Sequence, residues 1–224
     1  MKVLEQHEQF EMLILDEMRK VKILDALAFG GGTMLRLCFD LPRYSVDFDF
    51  YLLKEREKFI PLAENFSKAL RRMGADITDE HEKHFSFLWE LRMTPYPRRL
   101  KIEVRKDPER AKKTELNIAH SPFFSIQVRL RTLTLGQMWG NKVQALVDRK
   151  EIRDAYDLEF LTRRGAGDFN KLSSSIRERI RWVLNDFSDQ DFKVVLGSIL
   201  SDPEKKVVLS SRLGYLKSKL VESP

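Results

Sequence analysis

The sequence predicts an α+β fold, with a sheet-containing part over residues 1–133 and a helical part over residues 134–224. Three observations support this prediction. Helix and strand patterns alternate along the first part, and from Thr134 onward apolar residues recur at helical period without strand signals. The 224 residues are 42% hydrophobic and 33% charged, which is typical of a folded chain with a sizeable core.

The first part begins with a helix, a short strand and a second helix. Residues 7–24 carry apolar side chains at helical spacing with charges between them, which predicts an amphipathic helix. Residues 26–29 are a short apolar run that predicts a buried strand. Three glycines separate this strand from a predicted helix over residues 33–39, which ends before Pro42 because proline disfavours helical geometry in the residue before it.

The next strand is predicted over residues 46–53 and has two different faces. Its alternation places Asp47 and Asp49 together on one face and the apolar side chains on the other. Further predicted elements are a helix over residues 58–73 and strands over residues 85–91, 100–105 and 124–131. After Thr134 the pattern predicts helices over residues 136–162 and about 171–220.

Residues 29–50 combine two features that suit phosphate and metal chemistry. Consecutive glycines between a strand and a helix allow several N–H groups to converge on an anion, although they also suit a plain tight turn. The carboxylates of Asp47 and Asp49 repel each other unless a cation lies between them or the strand edge is solvated. Their hard oxygen ligands suit Mg²⁺ or Mn²⁺, so the combination favours a nucleotide bound through both features.

Composition narrows the remaining classes of protein. Forty Lys and Arg residues against 34 Asp and Glu residues give a net charge of +6, which favours polyanionic partners without identifying one. A single cysteine excludes an internal disulfide and a cysteine-rich zinc site. No apolar run is long enough to span a bilayer, so we expect a cytoplasmic protein without a membrane partner. Residues 80–84 predict a solvated charged loop, and His120 predicts a turn.

Two groups of residues match motifs of a known family. The first is Gly31-Gly32-Thr33 followed by Arg43-x-Ser45-x-Asp47-x-Asp49, and the second is Lys142-x-x-Ala145 followed by Arg149 and Arg153-Asp154-x-Tyr156-Asp157-Leu158. In both, the chain resembles the AbiEii/AbiGii toxin family of nucleotidyltransferases, which includes the MenT toxins. The resemblance implies a polymerase-β-like nucleotidyltransferase core with a mixed sheet, and a helical region that completes the nucleotide site.

The resemblance also implies roles for individual residues. Asp47 and Asp49 would hold divalent cations, and a third carboxylate would complete the set. Strand alternation makes Glu103 the candidate and Glu90 its competitor, while an ion pair across the strands is the other explanation of Glu103. The implied nucleotide-binding residues are Gly31, Gly32, Thr33, Arg43, Ser45, Lys142, Arg149, Arg153, Asp154 and Asp157.

Lys142 lies on an otherwise apolar helical face, so its ammonium needs an anion if it is buried. The incoming triphosphate is one such anion, whereas a snorkelling side chain would reach water instead. Arg153 and Asp157, four residues apart, could form a simple helical ion pair or, with Asp154, brace the helix behind the nucleotide.

The expected function is Mg²⁺-dependent transfer of a nucleoside monophosphate from an NTP to an acceptor hydroxyl. The resemblance implies an RNA acceptor such as the tRNA 3′ end, a role as the toxin of a toxin–antitoxin or abortive-infection system, and a cognate antitoxin partner. Two alternatives stay open: transfer to a small molecule or protein, and a non-catalytic nucleotide-binding module.

Overall fold

A computed structural model describes residues 2–221 of the chain. These residues form seven strands: β1 (Leu27–Gly30), β2 (Asp47–Leu52), β3 (Asp76–Glu82), β4 (Ser86–Arg92), β5 (Leu100–Arg105), β6 (Thr114–Ser121) and β7 (Phe124–Leu133). They also form eight α-helices: α1 (Lys2–Lys20), α2 (Gly31–Phe39), α3 (Arg56–Arg72), α4 (Leu135–Arg149), α5 (Ile152–Arg163), α6 (Ser174–Asp186), α7 (Asp202–Ser211) and α8 (Gly214–Val221). In the described part of the chain, no helix is both long and apolar enough to cross a membrane.

The seven strands form one mixed sheet in the order β3-β4-β5-β2-β1-β7-β6. β2 pairs with β5 in parallel and β1 pairs with β7 in parallel, whereas the other neighbours are antiparallel. The predicted α+β class with a mixed sheet is therefore confirmed. The short strands β1 and β2 lie in the middle of the sheet. The C-terminal end of β1 therefore pairs with the N-terminal half of β2, and each of the two strands has another strand on its other side.

The chain divides into two compact units. The first contains the whole sheet together with α1, α2 and α3, and includes Tyr44–Thr134 and the chain up to Asp40. The second contains Leu41–Arg43 and the chain from Leu135 onward, and its described regular elements are helical.

Aromatic packing fixes β1 against β2 in the first unit. The rings of Phe29 and Phe50 stack with centroids 4.7 Å apart, and Phe48 meets Phe29 edge-on at 5.4 Å. All three side chains are fully buried. Because alternate residues of a strand point to opposite faces, burying Phe48 and Phe50 leaves Asp47 exposed and Asp49 half-buried on the other face.

Two strands lie where the sequence pattern predicts none, and both are edges of the sheet. β3 extends through Glu82 where a charged loop is predicted, and His120 lies within β6 where a turn is predicted. Edge strands often carry charged side chains, which discourage pairing with other chains. β3 reads Asp-Ile-Thr-Asp-Glu-His-Glu, so it lacks the apolar alternation by which a strand is recognised.

Candidate active site

The glycine turn between β1 and α2 packs against the strand that carries the aspartates. Gly30 pairs with Asp49 in the β1–β2 register. Gly31 has a φ of +74°, and a Cβ atom there would lie 2.4 Å from Oδ2 of Asp49. A larger residue at this position would strain the backbone and displace the carboxylate. The start of α2, where helix N–H groups lack intrahelical acceptors, thus lies beside Asp49.

Thr33 ties the start of α2 to the start of β2. Its hydroxyl donates a hydrogen bond of 2.7 Å to the main-chain carbonyl oxygen of Asp47, and the side chain is fully buried. This bond fixes the main chain from which the Asp47 carboxylate projects. Ser45, two residues earlier, is half-buried and makes no hydrogen bond within residues 2–221.

The strand register places one of the two candidate third carboxylates directly beside the aspartate pair. Glu103 of β5 is the in-register partner of Asp49, and Lys101 is the partner of Asp47. Glu90 lies one strand further away, on β4 opposite Lys101, and accepts a hydrogen bond of 3.0 Å from Arg99. Of the two candidates, Glu103 therefore lies on the strand adjacent to Asp49, and Glu90 does not.

Arg105 bridges two of the carboxylates. One of its guanidinium nitrogens, Nη2, lies 3.2 Å from Oδ1 of Asp49 and 3.5 Å from Oε2 of Glu103. Burial lowers the pKa of Arg105, but the charges of Asp49 and Glu103 raise it by more, so the net pKa is raised. Arg105 lies two residues after Glu103 on β5, so strand alternation places both side chains on one face, which is the sequence signal for this contact.

The donor chemistry of this face fits a divalent cation. Asp47, Asp49 and Glu103 offer the hard carboxylate oxygens that Mg²⁺ and Mn²⁺ prefer. Within residues 2–221, however, no three His, Cys, Asp or Glu side chains converge as a ready-made set of metal ligands. Arg105 contacts two of the three carboxylates. Joint binding of a cation by Asp49 and Glu103 therefore requires this guanidinium to release them.

A buried histidine and glutamate on α1 lie behind the start of β2. Nε2 of His7 donates a hydrogen bond of 2.9 Å to the carbonyl oxygen of Val46, and the same nitrogen lies 3.5 Å from Oε1 of Glu11. Both side chains are fully buried, and neither Glu11 oxygen has a hydrogen-bond partner within the described residues. The hydrogen bond from His7 thereby fixes the carbonyl group of Val46, the residue before Asp47.

Burial raises the pKa of Glu11 well above its ordinary value, and the charges of Glu8 and Asp47 raise it further, against Arg36 and Arg98. For His7, whose charged form is the protonated one, burial lowers the pKa instead. Both shifts favour the uncharged forms of the two side chains. Because folded Glu11 keeps a proton that the unfolded chain loses above pH 4.5, this group's contribution to stability falls as the pH rises from that value.

We expect Glu11→Gln to shift the slope of melting temperature against pH in the positive direction relative to the wild type, because glutamine cannot ionise. Thermal unfolding followed across a series of buffers from about pH 5 to pH 8 would measure this. Glu5→Gln, at a partly exposed position of the same helix, is the control and should follow the wild-type curve. Parallel curves for Glu11→Gln and the wild type would contradict the assignment of a proton to Glu11.

In the second unit, Lys142 is buried and meets two carboxylates of its own chain. Its Nζ atom lies 2.8 Å from Oδ1 of Asp154 and 2.6 Å from Oδ2 of Asp157. Burial lowers the pKa of Lys142, but the two aspartates raise it by more, so the ammonium stays charged. Arg149 also donates to Asp154, at 3.0 Å. The anion that Lys142 requires is therefore supplied within α5.

Asp157 has a second cationic partner in Arg43. The guanidinium donates through Nε at 2.6 Å and Nη2 at 2.7 Å, one bond to each carboxylate oxygen. The side chains are 5% and 0% exposed. The simple helical pair between Arg153 and Asp157, one of the two readings of the sequence, is wrong: Arg153 pairs with Glu151 at 2.7 Å instead. Asp157 faces inward on α5, whereas Arg153 faces solvent.

Known proteins resemble this chain over most of its length. Residues 13–213 match a family model described as the nucleotidyl transferase AbiEii toxin of type IV toxin–antitoxin systems. JHP933 from Helicobacter pylori has a similar structure, with a TM-score of 0.55 and 19% identity over 95% of this chain and 94% of that one. MenT4, a nucleotidyltransferase toxin from Mycobacterium tuberculosis H37Rv, aligns with a TM-score of 0.48 and 15% identity over 94% and 85%. A search of curated proteins finds no significant match.

Proposed function

This chain belongs to the AbiEii family of nucleotidyl transferase toxins of type IV toxin–antitoxin systems, and we propose that it transfers a nucleoside monophosphate from an NTP to the 3′ hydroxyl of an RNA. The observation that supports this most strongly is the placement of Asp49 between the glycine turn and Glu103. The glycine turn would then bind the phosphates of the NTP, and the acidic side chains would bind the metal ions of the same NTP.

The proposed reaction is a single displacement at phosphorus. The acceptor oxygen attacks the α-phosphate of the NTP, the bond from that phosphorus to the β-phosphate oxygen breaks, and pyrophosphate leaves. The hydroxyl proton passes to a carboxylate oxygen, for which Glu103 is our candidate. Main-chain N–H groups of Gly31, Gly32 and Thr33 would bind the triphosphate at the start of α2.

Asp47, Asp49 and Glu103 would hold divalent cations, Mg²⁺ or Mn²⁺. When bound, such ions polarise the α-phosphate and stabilise the charge on the leaving pyrophosphate. The chain supplies the positions of the three carboxylates: the Thr33 bond fixes the Asp47 main chain, and strand pairing keeps Glu103 level with Asp49. Arg105 contacts two of them, Asp49 and Glu103, and offsets part of their negative charge.

Residues of the second unit are proposed in two roles. Lys142 and Arg149 are proposed as cationic nucleotide ligands of the second unit. Ser45 is proposed as a polar nucleotide ligand of the first. Arg43, Asp154 and Asp157 position the Lys142 ammonium, because they form the buried ion-pair network around it. Arg153 retains its proposed place in the nucleotide-binding set, although its observed partner is Glu151.

The acceptor and the partner protein follow from the family and from charge. A net charge of +6 suits a polyanionic acceptor, and we propose the 3′ end of an RNA such as tRNA. The type IV toxin–antitoxin family implies a cognate antitoxin. We propose the cytoplasm as the location.

We expect purified protein to transfer label from an α-phosphate-labelled NTP to RNA in the presence of Mg²⁺. Each of the four NTPs would be tested separately with total RNA, total protein and a metabolite extract, and released pyrophosphate would be measured in parallel. Removal of the cation with a chelator should abolish transfer, and added Mg²⁺ or Mn²⁺ should restore it.

Label in protein or metabolites instead of RNA would show a different acceptor. Undiminished transfer after chelation would exclude the metal-dependent mechanism. NTP binding without transfer to any of the three acceptor pools would mean a non-catalytic nucleotide-binding module.

A further inference from the structure

A second feature of the first unit is an open polar cavity that begins at Asp47. Its volume is about 650 Å³, and its wall is formed by the start of β2 and by the chain that connects β4 to β5. The side chains that matter here are Arg92, Tyr96, Arg98 and Arg99, which line it together with Asp47. The glycine turn that would hold the triphosphate does not line this cavity.

Two of the arginines that line the cavity make no ion pair with a described residue. Arg92 and Arg98 are exposed, and within residues 2–221 no carboxylate lies within ion-pair distance of either. Arg99 is the exception, since it contacts Glu90 at 3.0 Å. The charge of Arg98 also lowers the pKa of buried Glu11 behind β2, against the larger effect of burial. Exposed guanidinium groups of this kind suit phosphate oxygens.

An aromatic side chain stands in the same wall. The ring of Tyr96 stacks on Phe10 of α1, with centroids 4.8 Å apart and planes inclined by 11°. Phe10 is fully buried, whereas Tyr96 is partly exposed and lines the cavity. A ring held in this way can contact a base without a large loss of side-chain freedom on binding.

We propose that this cavity is the acceptor subsite, where Arg92 and Arg98 bind backbone phosphates of a single-stranded RNA and Tyr96 contacts a base near its 3′ end. The inference rests on the proposed function, because it brings the terminal hydroxyl to Asp47. Phosphate-binding cations together with an aromatic surface are the combination by which proteins hold single-stranded nucleic acid.

The test is binding of RNA by the whole protein without NTP or metal. The probe is a short single-stranded RNA with a fluorescent label at its 5′ end and a free 3′ hydroxyl, followed by anisotropy. The double variant Arg92→Ala with Arg98→Ala should weaken binding by at least about tenfold. Loss of two phosphate contacts should also reduce the slope of log K against log salt by about 1.4, at roughly 0.7 per contact on a single strand.

The control removes the same charge elsewhere in the first unit. Lys68→Ala with Arg72→Ala changes two exposed cations of α3 that lie outside the cavity, and it should leave the affinity and the salt slope close to wild type. NTP affinity, measured separately, should be unchanged in both double variants. Since the four side chains are exposed, melting temperatures should also match the wild type.

The alternative results each overturn the inference. Equal RNA affinity in the cavity variant and the wild type would exclude the subsite, as would an equal loss in the α3 control or no RNA binding by the wild type. A loss of NTP affinity instead of RNA affinity would assign the cavity to the nucleotide. Because binding is read without turnover, failure of the transfer reaction would leave this result interpretable on its own.

Discussion

Asp47→Ala and Asp49→Ala should each lower the rate of nucleotidyl transfer by about a thousand-fold, a loss of roughly 4 kcal/mol of transition-state stabilisation. Each substitution removes one of the oxygen donors proposed to hold the divalent cation. Folding of Asp47→Ala should be preserved, because Asp47 is exposed and the hydrogen bond from Thr33 goes to its main-chain oxygen; Asp49→Ala removes a half-buried carboxylate, so its melting temperature is measured alongside its activity. The measurement is transfer of label from the α-phosphate of an NTP to RNA.

Three further variants make this result specific. Asp76→Ala, at an exposed position at the start of the edge strand β3, should transfer label at the wild-type rate. Glu103→Gln should lose activity, and Glu90→Gln should retain it, since Glu103 and not Glu90 lies in register with Asp49. Transfer that survives both aspartate substitutions would exclude the proposed metal site, and the reverse result for the two glutamates would exchange their roles.

Asp157→Ala should destabilise the second unit by about 3–5 kcal/mol, because it leaves the buried charges of Arg43 and Lys142 without their shared counter-ion. For a protein of this size, that corresponds to a fall of roughly 6–20 °C in melting temperature. Hydrogen exchange should report the loss of protection in α5 before the strands of the first unit, since both side chains of the Arg43–Asp157 pair belong to the second unit.

Glu151→Ala is the matched control for this prediction. It removes a carboxylate directly before α5 whose partner, Arg153, is on α5, but the two side chains are 40% and 44% exposed. Exposed ion pairs contribute less than about 1 kcal/mol, so the melting temperature should change little. If Asp157→Ala unfolded no more readily than Glu151→Ala, the buried network would not be what holds Lys142 in position.

The candidate residues of the first unit were accessible from local pattern. Strand alternation put Asp47 and Asp49 on one face, and the structure shows that face opposite the buried side chains of Phe48 and Phe50. The glycine turn was equally visible, since consecutive glycines mark backbone that other residues cannot adopt. These predictions involve neighbours in the chain, where geometry depends on few other residues.

Contacts between distant residues were less accessible. Arg105 is on the predicted face of β5, but its contact with Asp49 depends on β5 lying beside β2, which no local pattern specifies. The partner of Asp157 is Arg43, far away in the chain, and not the nearer Arg153. The edge strands β3 and β6 were missed because their charged and mixed composition gives no apolar alternation.

By itself the sequence determined the fold class, the family and the strand face of the aspartate pair, because hydrophobic period and motif spacing act over short stretches of chain. Only the tertiary structure decided that Glu103 lies in register with Asp49, that Lys142 contacts two aspartates of α5, and that Arg92 and Arg98 line a cavity together with Asp47. The physical reason is that strand order and side-chain burial are settled by packing across the whole unit, which local propensity does not encode.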